Sequence, residues 1–349
     1  MGEAVLREWK GFRKGINLGG WFSQSDSMIK AHFDTFITED DFDVIKSWGL
    51  DHVRLPIDYD LIVDRSGNFK TSGFAYIDKV IEWCRARKLN VVINLHKADG
   101  YEFINNEKYG DFFESEILQE KFYEIWAHVA EKYGKYSDSV AFDLLSDITD
   151  EAYSEPWNQI IRHCISRIRF YAPMNVIVIG GCKCNSCTVI GELPDPNDKW
   201  IAYTFHFNGP HIFTHQGAHW VEWMPQDFRF SFDHTYREYM DETAKLAGRP
   251  TGFKDVNRDP DSMLDSGYFE DRMAEAVKIA AERDKYLYCG EYGVVNNADP
   301  SDTVKWYREI NKAFEKYNIG RAAWSYRAMS FGLADEEYDG VRDELVKYL

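Results

Sequence analysis

The sequence predicts a closed (β/α)8 barrel, and three observations carry that expectation. Eight short apolar runs recur along the chain, amphipathic helical stretches separate them, and no long polar linker interrupts the alternation. An open doubly wound sheet is the structural competitor, since it also alternates strand with helix. With 349 residues and 44% hydrophobic positions, the chain can bury a large core, and its length suits one such barrel.

The candidate strands, in order, are GINLGG near 15, HVRLP at 52, VVINLH at 91, VAFDLLSD at 140, NVIVIGG at 175, IAYTFHF at 201, YLYCGEYGV at 286 and AAWSYRAM at 322. The helices between them carry start signals. Thr38 followed by Glu-Asp-Asp opens DFDVIKSWG, and Gly73 precedes FAYIDKVIEWCRARK, whose apolar positions recur at three and four. Segments 115–134, 155–170, 268–284 and 301–317 read the same way. The spacing breaks once, at about 222–267, where a charged and aromatic stretch reads as a partly helical insertion between the sixth and seventh strands. The domain expectation is therefore a single barrel over 1–349 with an inserted subdomain. No internal repeat or low-complexity tract is visible.

Composition narrows the partners. A formal net charge of -17 repels phosphate backbones and anionic lipid, so no nucleic acid or membrane partner is expected. No run of about 20 apolar residues spans a bilayer. The opening MGEAVLREWKGFRKG lacks an apolar leader core, which points to the cytoplasm for the chain as given, or to secretion if a leader was removed. A monomer is expected. Aromatic residues make up 16% of the chain, with 11 tryptophans; they fit either a well-filled core or flat surfaces for a ligand. Cys182, Cys184 and Cys187 cluster, yet the paired CxxC spacing of a zinc site is missing, so free thiols and no metal are expected. The sequence has no G-x-x-x-x-G-K-[ST] loop, no G-x-G-x-x-G after a strand, no G-x-S-x-G elbow and no H-E-x-x-H helix, and no cofactor is indicated.

In a barrel, chemistry sits where the strands end. Those ends deliver Arg54, His96, Ser146 with Asp147, His206 with Asn208, Glu291 and Trp324. Each has an ordinary structural explanation alone: a buried ion pair for Arg54 with Asp58 or Asp143, satisfied core histidines, a surface charge at 291. Together they suit sugar chemistry. Glycosidic hydrolysis needs one carboxyl group to protonate the leaving oxygen and another to attack the anomeric carbon or activate water. An arginine keeps a nucleophile ionised, and a tryptophan face stacks on a pyranose.

The pieces GINLGGW at 15, HFDTFITE at 32, DHVRLPIDY at 51, FDLL at 142, FHF at 205, FTHQGAHW at 213, CGEYGV at 289 and the strand ending in Trp324 span most of the chain. In this order they resemble glycoside hydrolase family 5, especially its cellulase-like endoglucanases. The resemblance implies a retaining double displacement on β-linked glucan, an oligosaccharide or polysaccharide substrate. It makes Glu291 the nucleophile and Asp147 the candidate acid/base, with Arg54, His96, Ser146, His206, Asn208, Trp324, Trp21 and Trp220 in the substrate-binding set.

Three positions depart from that family. Its fourth strand normally ends in Asn-Glu where this chain has Ser146-Asp147, and a tyrosine usually stands where Asn208 does. Aspartate is shorter by one C–C bond, about 1.5 Å, so its carboxyl is expected to retreat from Glu291. A misplacement of about 1 Å can cost on the order of a hundredfold in rate. Asp143 lies lower in the barrel, where a structural ion pair is expected, and Asp150 lies past the strand. The expectation is a β-glucan hydrolase with impaired or altered turnover. The alternatives are a carbohydrate-binding protein with little or no activity, or a site retuned to another sugar, for which Lys97 and Asp99 would fit a changed subsite.

Overall fold

A computed structural model describes residues 6–25, 27–103, 110–250, 252–253 and 256–349. Residues 1–5, part of the stretch in which a leader was sought, and positions 251, 254 and 255 of the expected insertion lie outside that description. Eight strands close into a barrel in chain order. They are β1 (Lys14–Asn17), β2 (His52–Asp58), β3 (Asn90–Lys97), β4 (Val140–Asp143), β5 (Ile177–Gly180), β6 (Ile201–Phe207), β7 (Tyr286–Tyr292) and β8 (Gly320–Ala323). Every pairing is parallel, and β1 meets β8 through Gly15 beside Ala322. An open sheet is thereby set aside. The strands are buried along nearly their whole length, as parallel strands sandwiched between a packed interior and a helix layer must be.

The helices follow from their apolar stripes and caps. Glu39–Ser47 starts at a reciprocal capping box between Thr38 and Asp41 and buries Phe42 and Ile45. Thr71–Ala86 buries Phe74, Ile77, Val80, Ile81 and Cys84, a three-and-four spacing that lays one face on the barrel. Fully burying each such side chain stabilises the fold by about 1.5–3 kcal/mol. Helix Pro300–Tyr317 begins with Asp299 accepting from the Ser301 and Asp302 amides and ends at Asn318 in the left-handed conformation. Among the described residues, no helix is long and apolar enough to cross a membrane.

The segment between β6 and the helix Ser266–Glu282 contains a helix, Tyr236–Ala247, capped by a Thr235/Glu238 box and stopped at Gly248 with φ 72°. Its Tyr236 and Tyr239 join Phe232 and Phe253 in the main apolar core. Those aromatics attach the segment to the barrel. The six cysteines carry free thiols, five of them buried and Cys184 exposed.

Candidate active site

Parallel register builds the floor of the site. Asn17 of β1 lies beside Arg54 of β2, and Asn94 of β3 lies beside Asp143 of β4. Arg54, fully buried, donates through Nε to Asp143 (2.8 Å), through Nη1 to Asn17 Oδ1 (2.9 Å) and Glu291 Oε1 (2.6 Å), and through Nη2 to Ser146 Oγ (2.7 Å). Guanidinium geometry suits such a fork, because its donors diverge in one plane. Asp143 is the structural ion-pair partner expected from its place low in the barrel. Asn17 donates in turn to the carbonyls of Gly290, Ala322 and Ala323, fixing the arginine against β7 and β8.

Above this floor, the β6–β7 register sets His206 beside Glu291. Asp147 lies past the end of β4, its backbone left-handed at φ 56° and its carbonyl accepting from the Tyr101 hydroxyl at 2.8 Å. His206 stands between the two acids, with Nδ1 at 2.9 Å from Asp147 and Nε2 at 3.7 Å from Glu291. One donor atom each from His96, Asp147 and Glu291 all fall within 4.8 Å of one another. The shorter aspartate has therefore not opened a gap: the left-handed turn and the His206 hydrogen bond bring its carboxylate inward. Such a donor set would also accept a divalent cation, but Arg54 already supplies positive charge to Glu291.

Burial and charge pull the ionisations apart. Burial alone would raise the Asp147 carboxyl, but the His206 ring beside it wins and holds it down at about 2. For His206 the desolvation that disfavours its charge is outweighed by Glu291 and Asp147, so its ionisation is raised. Burial raises Glu291 against the opposing pull of His206 and Arg54. His96, pushed down to about 3 by burial and then by Arg54, is neutral. It is held by Asn94 Oδ1 at Nδ1 (3.0 Å) and faces Gln24 Nε2 at its other nitrogen (2.5 Å).

Other residues in the expected binding set fall in several places. Trp324, directly after β8, stacks on His96 at 5.8 Å with 12° between the rings. Asn208 follows β6 and offers its carbonyl to the Thr214 hydroxyl; it lines a cavity of about 320 Å³ with Cys184, His206, Phe207, Tyr268 and Arg272. Trp220 is 48% exposed and stands in a separate cavity of about 510 Å³ with Asn296, Asn297 and Met329. Two expectations change. Trp21 is buried, stacked on Phe22 at 4.0 Å and donating to the Phe33 carbonyl, so it is a core residue with no open face for a sugar. Ser146 is also fully buried, and its hydroxyl is occupied by Arg54 and Asn94, so it shapes the floor instead of reaching a hydroxyl of the ligand.

Sequence reasoning missed Asn17, Asn94, Tyr101 and Asn185. Only the first two leave a signal, as buried asparagines inside apolar strands, two residues before a site residue in the case of Asn94 and His96.

Residues 13–330 match the family described as Cellulase (glycosyl hydrolase family 5). Cellodextrinase A of Ruminococcus flavefaciens is 38% identical over 312 residues, covering 89% of this chain and 84% of that protein. Endoglucanase C of Acetivibrio thermocellus is 36% identical over 341 residues, covering 97% of this chain and 98% of its own. Among solved structures, the cellulose synthase subunit Z of Clostridioides difficile has a TM-score of 0.76 at 24% identity, covering 97% of this chain and 99% of its own. Cel5A of Thermotoga maritima in complex with cellobiose has a TM-score of 0.74 at 23% identity, covering 97% of both chains. Likeness at those identities speaks for the fold.

Proposed function

We propose, from the premise that the chain belongs to the cellulase family, glycosyl hydrolase family 5, that it hydrolyses β-linked glucan with retention, using Glu291 as nucleophile and Asp147 as the proton-transferring carboxyl. One observation carries the retaining reading: one carboxylate oxygen of Glu291 and one of Asp147 lie within 4.8 Å of each other at the mouth of the barrel. Retaining glycosidases hold their carboxyl groups about 5 to 5.5 Å apart, whereas inverting ones leave about 6.5 to 9.5 Å for a water. The names of the curated relatives, an endoglucanase and a cellodextrinase, support a β-glucan chain as the substrate class.

Glu291 attacks the anomeric carbon while Arg54 holds its carboxylate in place and ionised. The leaving oxygen takes a proton from Asp147, which draws it from His206 Nδ1. Water then enters, gives a proton back along the same route, and its oxygen displaces Glu291 from the sugar. Trp324 and His96 provide a stacked wall against which the ring of the sugar can lie.

A second reading has its own support. Asp147 is held ionised near pH 2 and above, opposite to the raised value that suits a general acid, and Ser146 is not free to bind a sugar hydroxyl. These features favour slow turnover, or binding without turnover. The test is hydrolysis of aryl β-cellobiosides with good and poor leaving groups by wild type, Glu291→Ala and the double variant Ser146→Asn/Asp147→Glu. A good leaving group needs little protonation and reports on the nucleophile almost alone. Glu291-dependent turnover of both substrates by wild type is expected; turnover appearing only after the double restoration would replace hydrolysis with binding.

A further inference from the structure

The cysteine-rich segment after β5 is built into the site. Lys183, Cys184 and Asn185 all adopt left-handed conformations, with φ of 54°, 52° and 54°. Three consecutive non-glycine residues of this kind are costly and persist only where their surroundings hold them. Here the amide of Cys184 donates to the Ile148 carbonyl (2.9 Å), Lys183 pairs with Glu151, and Ser186 forms a parallel bridge with His206. The turn thereby fastens the loop carrying Asp147 to the strand carrying His206. Its outcome is the position of Asn185, which is 1% exposed and places its side-chain Nδ2 3.3 Å from His206 Nε2, with Oδ1 turned toward Gly180. Space for that amide comes from Gly180, where a Cβ would lie 2.3 Å from Asn185 Oδ1.

We propose that Asn185 is a positioning residue for the proton on His206: the end of its amide that faces Nε2 decides on which ring nitrogen the proton rests, and so whether Asp147 can draw it. This rests on the assignment of Asp147 and Glu291 made above. An amide carries a donor at one end and an acceptor at the other, so turning it over exchanges what it presents. With its NH2 toward Nε2, the neutral ring keeps its proton on Nδ1, against Asp147. With its oxygen toward Nε2, that nitrogen holds a proton and Nδ1 is free to release its own. The N–H bond at Nδ1 then breaks as an O–H bond forms on Asp147, and the carboxyl passes a proton to the leaving oxygen as the glycosidic C–O bond breaks. When water attacks in the second step, its proton returns to Asp147 and then to the ring. His206 thus needs a partner at Nε2 that tolerates both states, and Asn185 is such a partner.

The groups facing His206 from other elements are Asp147 and Asp143 at the end of β4, Glu291 on β7, Arg54 on β2 and His96 on β3. Cys184 lies within the field of the same carboxylates; although the residue is exposed at the cavity rim, local desolvation and then Asp147 and Glu291 push its thiol up to about 12, so it adds no charge. Lys183, His211 and Arg272 line the adjoining cavity. Of these groups Glu291 also approaches Nε2, at 3.7 Å, whereas Asn185 lies within hydrogen-bond distance of it at 3.3 Å.

The test uses two variants that keep the left-handed turn: Asn185→Asp, nearly isosteric and an acceptor only, and Asn185→Gly, which suits that conformation and removes the amide. The ring nitrogens of His206 are followed by 15N NMR across pH, with His206→Gln for assignment, beside kcat/KM–pH profiles on the good and poor leaving groups. Asn185→Asp is expected to raise the His206 midpoint by about one pH unit, moving the alkaline limb of the profile with it and placing the residual proton on Nε2. Asn185→Gly is expected to mix the two neutral forms of the ring and to slow the poor leaving group about tenfold while sparing the good one. A purely structural role would slow both substrates alike with no movement of the limb. An unchanged His206 midpoint in Asn185→Asp, together with an unchanged proton position in Asn185→Gly, would overturn the proposal. If wild type turns over neither substrate, the hydrolysis reading fails, and the NMR titration still decides whether Asn185 governs His206.

Discussion

Arg54 touches a residue of β1, a residue of β4, the loop beyond it and Glu291 on β7, so the site is organised around one cation deep in the barrel. A different charge lies at the end of β2 with no such support. Asp58 is 8% exposed, its Oδ1 has no hydrogen-bond partner, and burial, partly opposed by Ser23, pushes its ionisation up to about 7. The sign follows directly. The folded protein keeps this proton to higher pH than the unfolded chain does, where the ordinary value is 3.8, so stability falls as pH rises between 3.8 and about 7. Each pH unit in that window is worth about 1.4 kcal/mol at most. Asp58→Asn is therefore expected to raise the denaturation midpoint at pH 8 while leaving it nearly unchanged at pH 4, measured by urea unfolding; equal shifts at both pH values would refute the explanation. At this scale the sequence displayed what strand ends deliver, and Glu291, Asp147, His96 and His206 do converge. What it could not display was which polar atoms are already occupied. Ser146 has the right place and no free hydroxyl, and Trp21 has the right side chain and no open face, because both facts depend on residues distant in the chain.

Strands and helices were the most legible elements, since a buried parallel strand is a short apolar run and a barrel helix repeats at three and four, both local properties. The left-handed turn at Lys183–Asn185 was illegible for the converse reason: lysine and cysteine do not favour that backbone, and the turn exists because Ile148, Glu151 and His206 hold it from outside. The three cysteines there are free thiols, as expected from their spacing, and the asparagine beside them carries the contact with the site. Closure of β8 onto β1 makes a similar demand. A Cβ on Gly19, just beyond β1, would lie 2.8 Å from the Trp324 ring, closer than packed atoms approach. Gly19→Ala is expected to push that ring off His96, destabilise the fold by about 1–3 kcal/mol, and raise KM for β-cellobiosides more than it lowers kcat. Denaturation and steady-state kinetics on one preparation check this, and a loss of stability with KM unmoved would separate Trp324 from the sugar.

For the molecule as a whole, a net charge of -17 makes the resting field negative, and three of its acids, Asp143 on the floor of the site and Asp147 and Glu291 above it, are buried close together. Arg54 and His206 are the cations that let those carboxylates share one buried space, which ties the stability of the fold to the proton on His206. The two partners act over different pH ranges. His206 has a raised ionisation, so its contribution is fully present below its ordinary value of 6.5 and is lost as pH rises through the higher folded value. Asp147 is lowered, so its contribution is present above 3.8 and is lost as pH falls through about 2. The pair therefore stabilises most between about pH 4 and 6.5. His206→Gln keeps a donor for Asp147 but removes the charge, and its deficit relative to wild type should be widest in that window, on the order of 3 kcal/mol. The deficit should shrink above the folded ionisation of His206, where the wild-type ring has also become neutral, and again toward pH 2, where Asp147 is protonated in both proteins. Urea unfolding of the two proteins from pH 2 to pH 9 measures this difference. A deficit constant across pH would mean that the ring serves as packing alone, and the proton route from His206 through Asp147 would lose its electrostatic basis.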